Sequence, residues 1–336
     1  MIVGFAITEH CNLRCRHCIR DDVETVRSLE PELIQTVLDD ARALFGGLVA
    51  SFTGGEPLLH PQFTTIAGIC SARGIPYRFV TNGWHWKRLA SAVRGYPPQS
   101  VRLSLSGGSE STHDSERGSG SLERILKCVA LLTRDQVPSY LSIVIDRRNQ
   151  HELRLAADLA ESLGCVGIGF ILPQPTPGTA SRDSDLSPDE WASVTRAVQE
   201  MAGEPERKTA VALDYGYPFD GPEKPCETFA LGRIYVDAWG RLSTCCQLSE
   251  FGQTASEVVA DLHTVSLRNA FDVYRSRLTE LQRLQQPKPG EPRVTDPFPC
   301  LRCCHTTGKL QWLSSFPQSP WYTAAERTSA IPATNR

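Results

Sequence analysis

The sequence predicts an α/β protein: a partial (β/α)6 barrel of TIM type, followed by a small domain built from a β-hairpin and a helix. Six short apolar segments are each followed by an amphipathic segment, which indicates a parallel sheet with right-handed crossovers. Six such units are fewer than the eight of a closed barrel, which favours an open one. After about residue 203 this alternation stops, and six of the 12 cysteines lie beyond that point.

The six units are defined by short apolar runs that alternate with stretches of helical periodicity. The predicted strands are residues 2–7, 48–52, 77–80, 101–105, 139–145 and 166–172. The predicted helices are residues 32–44, 63–72, 84–93, 122–132 and 151–163. A sixth helix opens at Ser187 as N-cap, with Pro188 in its first turn.

The chain divides at changes of composition. Residues 1–203 form the predicted barrel, and residues 204–225, rich in Gly, Pro and charge, form a linker. Residues 226–316 form the second domain, with a hairpin over 233–245, a helix over 265–284 and a loop of five prolines over 287–299. Residues 317–336 form a tail rich in Ser, Thr, Pro and Ala, which we expect to be poorly packed.

Composition and charge exclude several classes of protein. Of the 336 residues, 35 are Lys or Arg and 38 are Asp or Glu, and a net charge of −3 argues against a nucleic-acid binder. No apolar run reaches the roughly 18 residues of a membrane span, and the N-terminus lacks the features of a signal peptide. The sequence therefore predicts a cytoplasmic protein with reduced thiols, for which bound metal is the first explanation of 12 cysteines.

Three cysteines follow the first predicted strand at the spacing Cys11-x3-Cys15-x2-Cys18. Thiolates are soft ligands that suit zinc or iron–sulfur clusters. A structural zinc site takes four ligands, and His10 or His17 would supply the fourth in a Cys3His site. Three cysteines around a [4Fe–4S] cluster would instead leave one iron open to an external ligand.

This triplet resembles the signature of the radical S-adenosylmethionine (SAM) enzymes. In that family the amino and carboxylate groups of SAM chelate the open iron. An electron from the cluster cleaves SAM to a 5′-deoxyadenosyl radical, which abstracts a hydrogen atom from the substrate. The resemblance implies a SAM-binding [4Fe–4S] cluster, SAM itself and an external electron donor such as flavodoxin or ferredoxin.

Further motifs at successive strand ends resemble those of the same family, and strand ends are where parallel α/β folds bind ligands. Glycines of a Gly-Gly-Glu-Pro motif would let the backbone approach the ligand, and its glutamate would accept hydrogen bonds from the SAM ammonium. An arginine would hold the SAM carboxylate through its planar fork. Ser106 occupies a position where the family commonly has Asp. The residues implied to contact SAM are Gly54, Gly55, Glu56, Asn82, Ser104, Arg117 and Asn149.

The C-terminal cysteines resemble the twitch domain, a shortened SPASM domain that holds one auxiliary [4Fe–4S] cluster. The implied ligands are Cys226, Cys245, Cys300 and Cys303, with a structural zinc site as the alternative. No cysteine follows Cys304, so a second auxiliary cluster is not expected.

Cys246 and Cys304 are left over beside the implied ligands, and either could replace its neighbour as a ligand. Either side chain could pack, or it could donate a hydrogen atom to a substrate radical, as in twitch enzymes that invert a carbon centre. Cys246 is the first candidate for that catalytic role. The isolated Cys70, Cys128 and Cys165 are predicted core residues.

The expected reaction is epimerisation or dehydrogenation of a natural-product intermediate, a sugar-like or aminoglycoside-like small molecule. The chain begins just before its first strand, which leaves no room for an N-terminal peptide-recognition domain and favours a small molecule or a short peptide. The alternative is maturation of a ribosomal peptide by epimerisation or cross-linking. A non-catalytic zinc-binding scaffold is the remote alternative. No nucleic acid and no membrane are expected as partners.

Overall fold

The computed structural model describes residues 1–20, 26–177, 185–214, 216, 226–249, 257–285 and 299–327. Strands in this part of the chain are β1 (Ile2–Thr8), β2 (Val49–Gly54), β3 (Tyr77–Thr81), β4 (Ser100–Leu105), β5 (Ser139–Val144), β6 (Gly167–Ile171), β7 (Ala210–Leu213), β8 (Arg233–Val236), β9 (Arg241–Ser243) and β10 (Val258–Asp261). Helices are α1 (Pro31–Phe45), α2 (Phe63–Ala72), α3 (Trp86–Gly95), α4 (Glu110–Arg117), α5 (Ser121–Arg134), α6 (Leu153–Ser162), α7 (Pro188–Ala202), α8 (Cys246–Ser249), α9 (Leu267–Leu284), α10 (Pro299–Thr306) and α11 (Pro320–Arg327).

All these strands join one sheet in the order β10-β9-β8-β1-β2-β3-β4-β5-β6-β7. The strands from β8 to β7 in this order run parallel, and β9 and β10 are antiparallel additions beside β8. The predicted α/β class with an open parallel barrel is confirmed. The hairpin is not separate from the barrel, because β8 pairs with β1 and extends the barrel sheet.

The hydrophobic core lies between the sheet and the surrounding helices. Alternate residues of each strand point to this layer, as strand geometry requires, and Phe5, Phe52 and Phe79 are almost completely buried there. Phe79 meets Phe63 of α2 edge to face, with ring centroids 5.1 Å apart. The opposite residues of the strands face the inside of the barrel, which is where a ligand would lie.

Two predictions on the second half of the chain are wrong. Residues 210–213, inside the predicted linker 204–225, form β7, which pairs in parallel with β6. The predicted tail is packed where the structure describes it: α11 buries Trp321 and Tyr322, and the Trp321 ring lies 4.4 Å from that of Trp191. Most of the predicted proline-rich loop, residues 286–298, lies outside the described residues.

Several local predictions are confirmed. Ser187 caps α7 through a capping box, in which its hydroxyl accepts from Glu190 N and the Glu190 side chain accepts from Ser187 N. Cys70, Cys128 and Cys165 are buried core residues. Within the described ranges, no helix has both the length and the apolar character that a membrane crossing needs.

Candidate active site

The loop that leaves β1 carries the three N-terminal cysteines. Thr8 ends the strand, and its hydroxyl accepts a hydrogen bond from His10 N at 3.1 Å. Cys11 and Cys15 are half-buried, whereas Cys18 is exposed. Burial raises the pKa of Cys11 and of Cys15, and the charges of the neighbouring cysteines raise it further. The three thiols therefore lie close enough to influence one another electrostatically.

The donor set of this loop fits an iron–sulfur cluster better than the Cys3His zinc alternative through His17. Both ring nitrogens of His17 are engaged: Nδ1 lies 3.4 Å from a Glu116 carboxylate oxygen, and Nε2 lies 3.5 Å from Arg117. Three thiols remain as soft donors. Among the described residues, no three His, Cys, Asp or Glu side chains converge on a point that would hold a single metal ion.

The Gly-Gly-Glu-Pro motif at the end of β2 packs directly on the cysteine loop. Gly55 N donates to Thr8 O at 2.7 Å, and Glu56 N donates to His10 O at 2.7 Å. A Cβ at Gly54 would collide with Thr8 O, and one at Gly55 would collide with His10 O; Gly54 also has φ +115°. The close approach that requires glycine in the structure is to the backbone of the cysteine loop, and an approach of the same glycines to SAM remains a prediction.

Glu56 joins two of the motifs. Its buried carboxylate accepts hydrogen bonds from Thr81 Oγ1 at 2.7 Å and from Asn82 N at 2.7 Å, both at the end of β3, and from Leu58 N at 3.1 Å. Burial raises the pKa of this carboxyl, and the hydrogen bonds oppose that rise. Contact between Glu56 and the SAM ammonium remains a prediction.

Asn82 connects β3 to the cysteine loop. Its side-chain amide donates to Asn12 Oδ1 at 3.1 Å and lies 4.0 Å from Cys11 Sγ. Its oxygen accepts from Trp84 N at 2.9 Å, which fixes the orientation of the amide. Asn82 therefore lies beside the first cysteine, as the resemblance implies for a residue near SAM.

Ser106, the first residue after β4, joins this hydrogen-bond network. Ser106 Oγ accepts from Arg117 Nε at 2.6 Å, and Ser106 O accepts from Asn149 Nδ2 at 3.1 Å. Asn149 is buried and also donates to Val144 O at 2.8 Å, so its side chain connects the end of β5 to Ser106. Ser104 is half-buried within the strand. Direct contacts of Ser104 and Asn149 with SAM remain predictions.

Arg117 brings a buried cation to the cysteine loop. Its side chain donates to Ser106 and lies near His17, and its charge acts on the Cys15 thiol. Within the described part of the chain, no carboxylate forms an ion pair with this guanidinium. A buried guanidinium without a counter-charge is costly, and a carboxylate is the ligand that its fork fits best.

Glu116 is a residue that the sequence analysis missed. Its carboxylate accepts from Arg16 N at 2.6 Å and lies 3.0 Å from Arg148 Nη1, so it fastens the cysteine loop to α4 and to the segment after β5. Burial raises its pKa, but hydrogen bonds and charges from His17, Arg16 and Arg148 lower it by more, to about 2. Burial lowers the pKa of His17, so the imidazole is neutral at pH 7 and the charges opposing Glu116 are those of the arginines.

The C-terminal cysteines gather in the described structure around Tyr274 of α9. The pKa of Tyr274 is raised by burial and then by the charges of Cys245, Cys226 and Cys246. Burial raises the pKa of Cys300 strongly, followed by the charges of neighbours that include Cys303 and Cys226. All six C-terminal cysteines thus take part in electrostatic interactions around Tyr274 or Cys300, but a ligand set for an auxiliary cluster remains a prediction.

The two remaining cysteines lie in different surroundings. Cys304 is fully buried in the main core, accepts a hydrogen bond from Gln174 Nε2 at 3.0 Å, and has its pKa raised by burial to about 12. Cys246 is half-buried and packs against Ala6 and Tyr235, which lie on the inner face of the sheet. None of the twelve cysteines, all within the described residues, forms a disulfide.

These motifs meet at the carboxyl ends of β1 to β5, around the cysteine loop. Residues 5–160 match the family model described as the Radical SAM superfamily. Residues 5–160 form a radical SAM domain. The match covers the cysteine loop, Glu56, Asn82 and Arg117, so the radical SAM resemblance is confirmed.

Relatives of this radical SAM protein have different named activities. It is 26% identical over 207 residues to the AdoMet-dependent heme synthase of Methanosarcina barkeri, covering 60% of this chain and 59% of that protein. It is 28% identical over 167 residues to the mycofactocin maturase MftC of Mycobacterium tuberculosis, covering 48% and 41%. The chain therefore spans less than two thirds of the length of these relatives. Among solved structures, Streptococcus suis SuiB bound to the precursor peptide SuiA has a TM-score of 0.66 at 13% identity, covering 82% and 64%, which shows a shared fold.

Proposed function

We propose that this radical SAM protein cleaves SAM reductively and uses the resulting radical to abstract a hydrogen atom from a natural-product precursor. The observation that carries the proposal is the buried Arg117 guanidinium beside the loop of three cysteines, which forms no ion pair with a carboxylate of the described residues. When bound at the three cysteines, a [4Fe–4S] cluster supplies the electron for SAM cleavage. The protein's own residues would hold and orient SAM beside it.

Each side chain has a task in that arrangement. Arg117 would bind the SAM carboxylate, with Ser106 fixing the guanidinium through the 2.6 Å hydrogen bond to Nε. Glu56 would accept from the SAM ammonium at the oxygen that takes only one protein donor, Asn82 N. Asn82 would orient the ligand next to Cys11. Burial of Glu56 and Arg117 lowers the local dielectric and so strengthens these interactions.

For the substrate we propose a ribosomally made peptide ahead of a sugar-like small molecule. The named relatives support this order, because one is a mycofactocin maturase and one structure of similar fold holds a precursor peptide. The small molecule stays the second candidate, supported by the named heme synthase. Both candidates are natural-product precursors, and the reductive cleavage of SAM that precedes hydrogen abstraction is the same for either.

Anaerobic reconstitution with iron and sulfide tests the SAM-cleaving function. With dithionite and SAM, the wild type should produce 5′-deoxyadenosine, while Cys15→Ala should produce none and Cys165→Ala, a core-cysteine control, should retain production. Arg117→Gln should raise the KM for SAM at least tenfold, because it removes a charge-assisted bidentate contact. Colourless protein that binds about two zinc ions would instead support the zinc scaffold.

We further propose an auxiliary [4Fe–4S] cluster at Cys226, Cys245, Cys300 and Cys303, with Cys246 as hydrogen donor. The contact of Cys246 with Ala6 and Tyr235 favours it over Cys304, which is enclosed in the main core. An epimerase that uses Cys246 should incorporate one solvent deuterium into product in deuterated water, and Cys246→Ala should lose that incorporation while Cys304→Ala keeps it. An oxidised product without solvent deuterium would instead indicate dehydrogenation.

A further inference from the structure

Three arginines, Arg78, Arg102 and Arg233, form a cluster on the inner face of the barrel. Each alternates along its strand with residues that pack outward against the helices, such as Phe79 beside Arg78. Arg78 is on β3, Arg102 on β4 and Arg233 on β8, and all three are half-buried. In the register of the sheet Arg102 lies opposite Val80, two residues after Arg78 on the same face, and Arg233 lies two residues before Tyr235, which is level with Arg78 through Gly4 and Ser51. The positive charges of Arg233 and Arg102 accordingly add to burial in lowering the pKa of Arg78.

Two members of this arginine cluster lack a direct counter-charge. Arg233 pairs with Glu227 at 2.8 Å. Arg78 has one hydrogen bond, from Nε to Ser51 Oγ at 3.4 Å, and the Arg102 guanidinium lies 5.7 Å from the centre of the Tyr140 ring. Across the described ranges, neither Arg78 nor Arg102 forms an ion pair with a carboxylate.

Among the described residues, the groups that oppose the charge of the arginine cluster act mostly through space. Glu227 and Tyr140 act on Arg78, Asp214 and Tyr140 act on Arg102, and Cys246, Glu227 and Cys245 act on Arg233. Partly desolvated like charges repel one another and are costly without a partner. The fold therefore holds an excess of positive charge at this position.

Glycines occupy several inner positions of the barrel beside the cluster. Closed (β/α) barrels fill such positions with large branched side chains. Here they include Gly4, Gly167 and Gly169, and a Cβ at Gly169 would lie 3.0 Å from Arg102 Nη1. The Arg102 side chain thus packs closely over a position that has no side chain of its own.

We infer that the arginine cluster binds an oxyanion of the substrate, a carboxylate or a phosphate, inside the barrel. The inference rests on the proposed function, because it assigns the anion to the molecule that the SAM-derived radical attacks. A guanidinium fork binds either oxyanion in a bidentate manner. Arg78 lies three residues before Thr81, so the anion would be held about 10 Å from the SAM end of the sheet, at about 3.3 Å per strand residue.

The substrate class that follows is a molecule with a negative charge about 10 Å from the carbon that loses hydrogen. An acidic side chain or a carboxyl terminus of a peptide meets this requirement, and so does a phosphorylated small molecule. An uncharged sugar does not. The arginine cluster would thus select the substrate and set which carbon faces SAM.

Titration calorimetry of the reconstituted protein at low ionic strength tests the inference, with tricarballylate as the carboxylate probe and pyrophosphate as the phosphate probe. The wild type should bind at least one probe, and the double variant Arg78→Gln/Arg102→Gln should bind it at least tenfold more weakly. Arg154→Gln, which removes an exposed arginine, should bind within twofold of wild type. Saturating SAM is present in every titration, so that the SAM site is occupied and the probe reports on the cluster. Tighter binding of one probe identifies the oxyanion.

Thermal unfolding without anions separates binding from a structural role. Because the double variant loses charges that repel one another, its Tm without anions should equal or exceed that of wild type. The probe should raise the Tm of wild type but not that of the double variant. Absence of binding to both probes, equal binding by the double variant, or a lowered Tm without anions would overturn the inference. Formation of 5′-deoxyadenosine in the same preparations reports separately on the proposed function.

Discussion

Replacement of Glu116 by Gln should loosen the cysteine loop from α4. The substitution keeps the shape of the side chain and removes the charge that faces Arg16 and Arg148. A pKa of about 2 against an ordinary 4.5 corresponds to about 3 kcal/mol of stability at neutral pH. Because His17 is neutral, the charges that Glu116→Gln leaves without a partner are those of Arg16 and Arg148.

The sign of the pH dependence follows from the lowered pKa. A carboxyl whose folded pKa is depressed stabilises the protein fully above its unfolded pKa of about 4.5, and this stabilisation is lost as pH falls towards about 2. The difference between wild type and Glu116→Gln should therefore be largest near pH 7 and roughly half as large near pH 3.

Urea unfolding of the cluster-free protein at several pH values measures this difference. Glu123→Gln is the control, because Glu123 is exposed and its ion pair with Lys127 lies in solvent, where such pairs contribute little to stability. A difference below about 0.5 kcal/mol for Glu116→Gln, or one that does not change with pH, would refute the reasoning.

Three further outcomes are expected. Trp321→Ala should lower the free energy of unfolding by about 3 kcal/mol or more in urea, because it empties a buried site against Trp191; an unchanged midpoint would contradict the packing of α11. Gly55→Ala should abolish iron binding at the cysteine loop and 5′-deoxyadenosine formation, because the added Cβ would collide with His10 O. Gly47→Ala is the control and should retain both, because no atom lies near the Cβ that it adds. Burial lowers the pKa of His113 to about 4, so the wild type should lose about 3 kcal/mol of its free energy of unfolding as pH falls from about 6.5 to 4. His113→Asn should lose clearly less over the same range. Parallel pH profiles of the two proteins in unfolding experiments would count against this.

The first half of the fold could be predicted because its signals are local. Each strand from β1 to β6 is an apolar run followed by a helix-period stretch, and the motifs lie at the turns between them. Helix α4 was missed because its sequence is almost entirely polar, with only His113 and Arg117 buried. Strand β7 was missed because it has only four residues within a region rich in Gly and Pro.

Features that depend on distant parts of the chain could not be predicted. Glu116 joins Arg16 to Arg148, and the sequence gives no sign that these positions meet. The same is true of the pairing of β8 with β1, which connects residues more than 200 positions apart. The hydrogen bond between Arg117 and Ser106 is another such contact, because it joins residues at the two ends of the segment that follows β4.

The shared strand β1 fixes the relation between the two groups of cysteines. The cysteine loop leaves its carboxyl end after Thr8, while β8 pairs with its other end at Ile2, and Cys245 follows the neighbouring strand β9 back towards that end. Six strand residues separate Ile2 from Thr8, which is about 20 Å along a hydrogen-bonded ladder that has no hinge. A molecule that contacts both groups of thiols would have to extend along most of the length of β1, so this strand sets the minimum size of such a molecule.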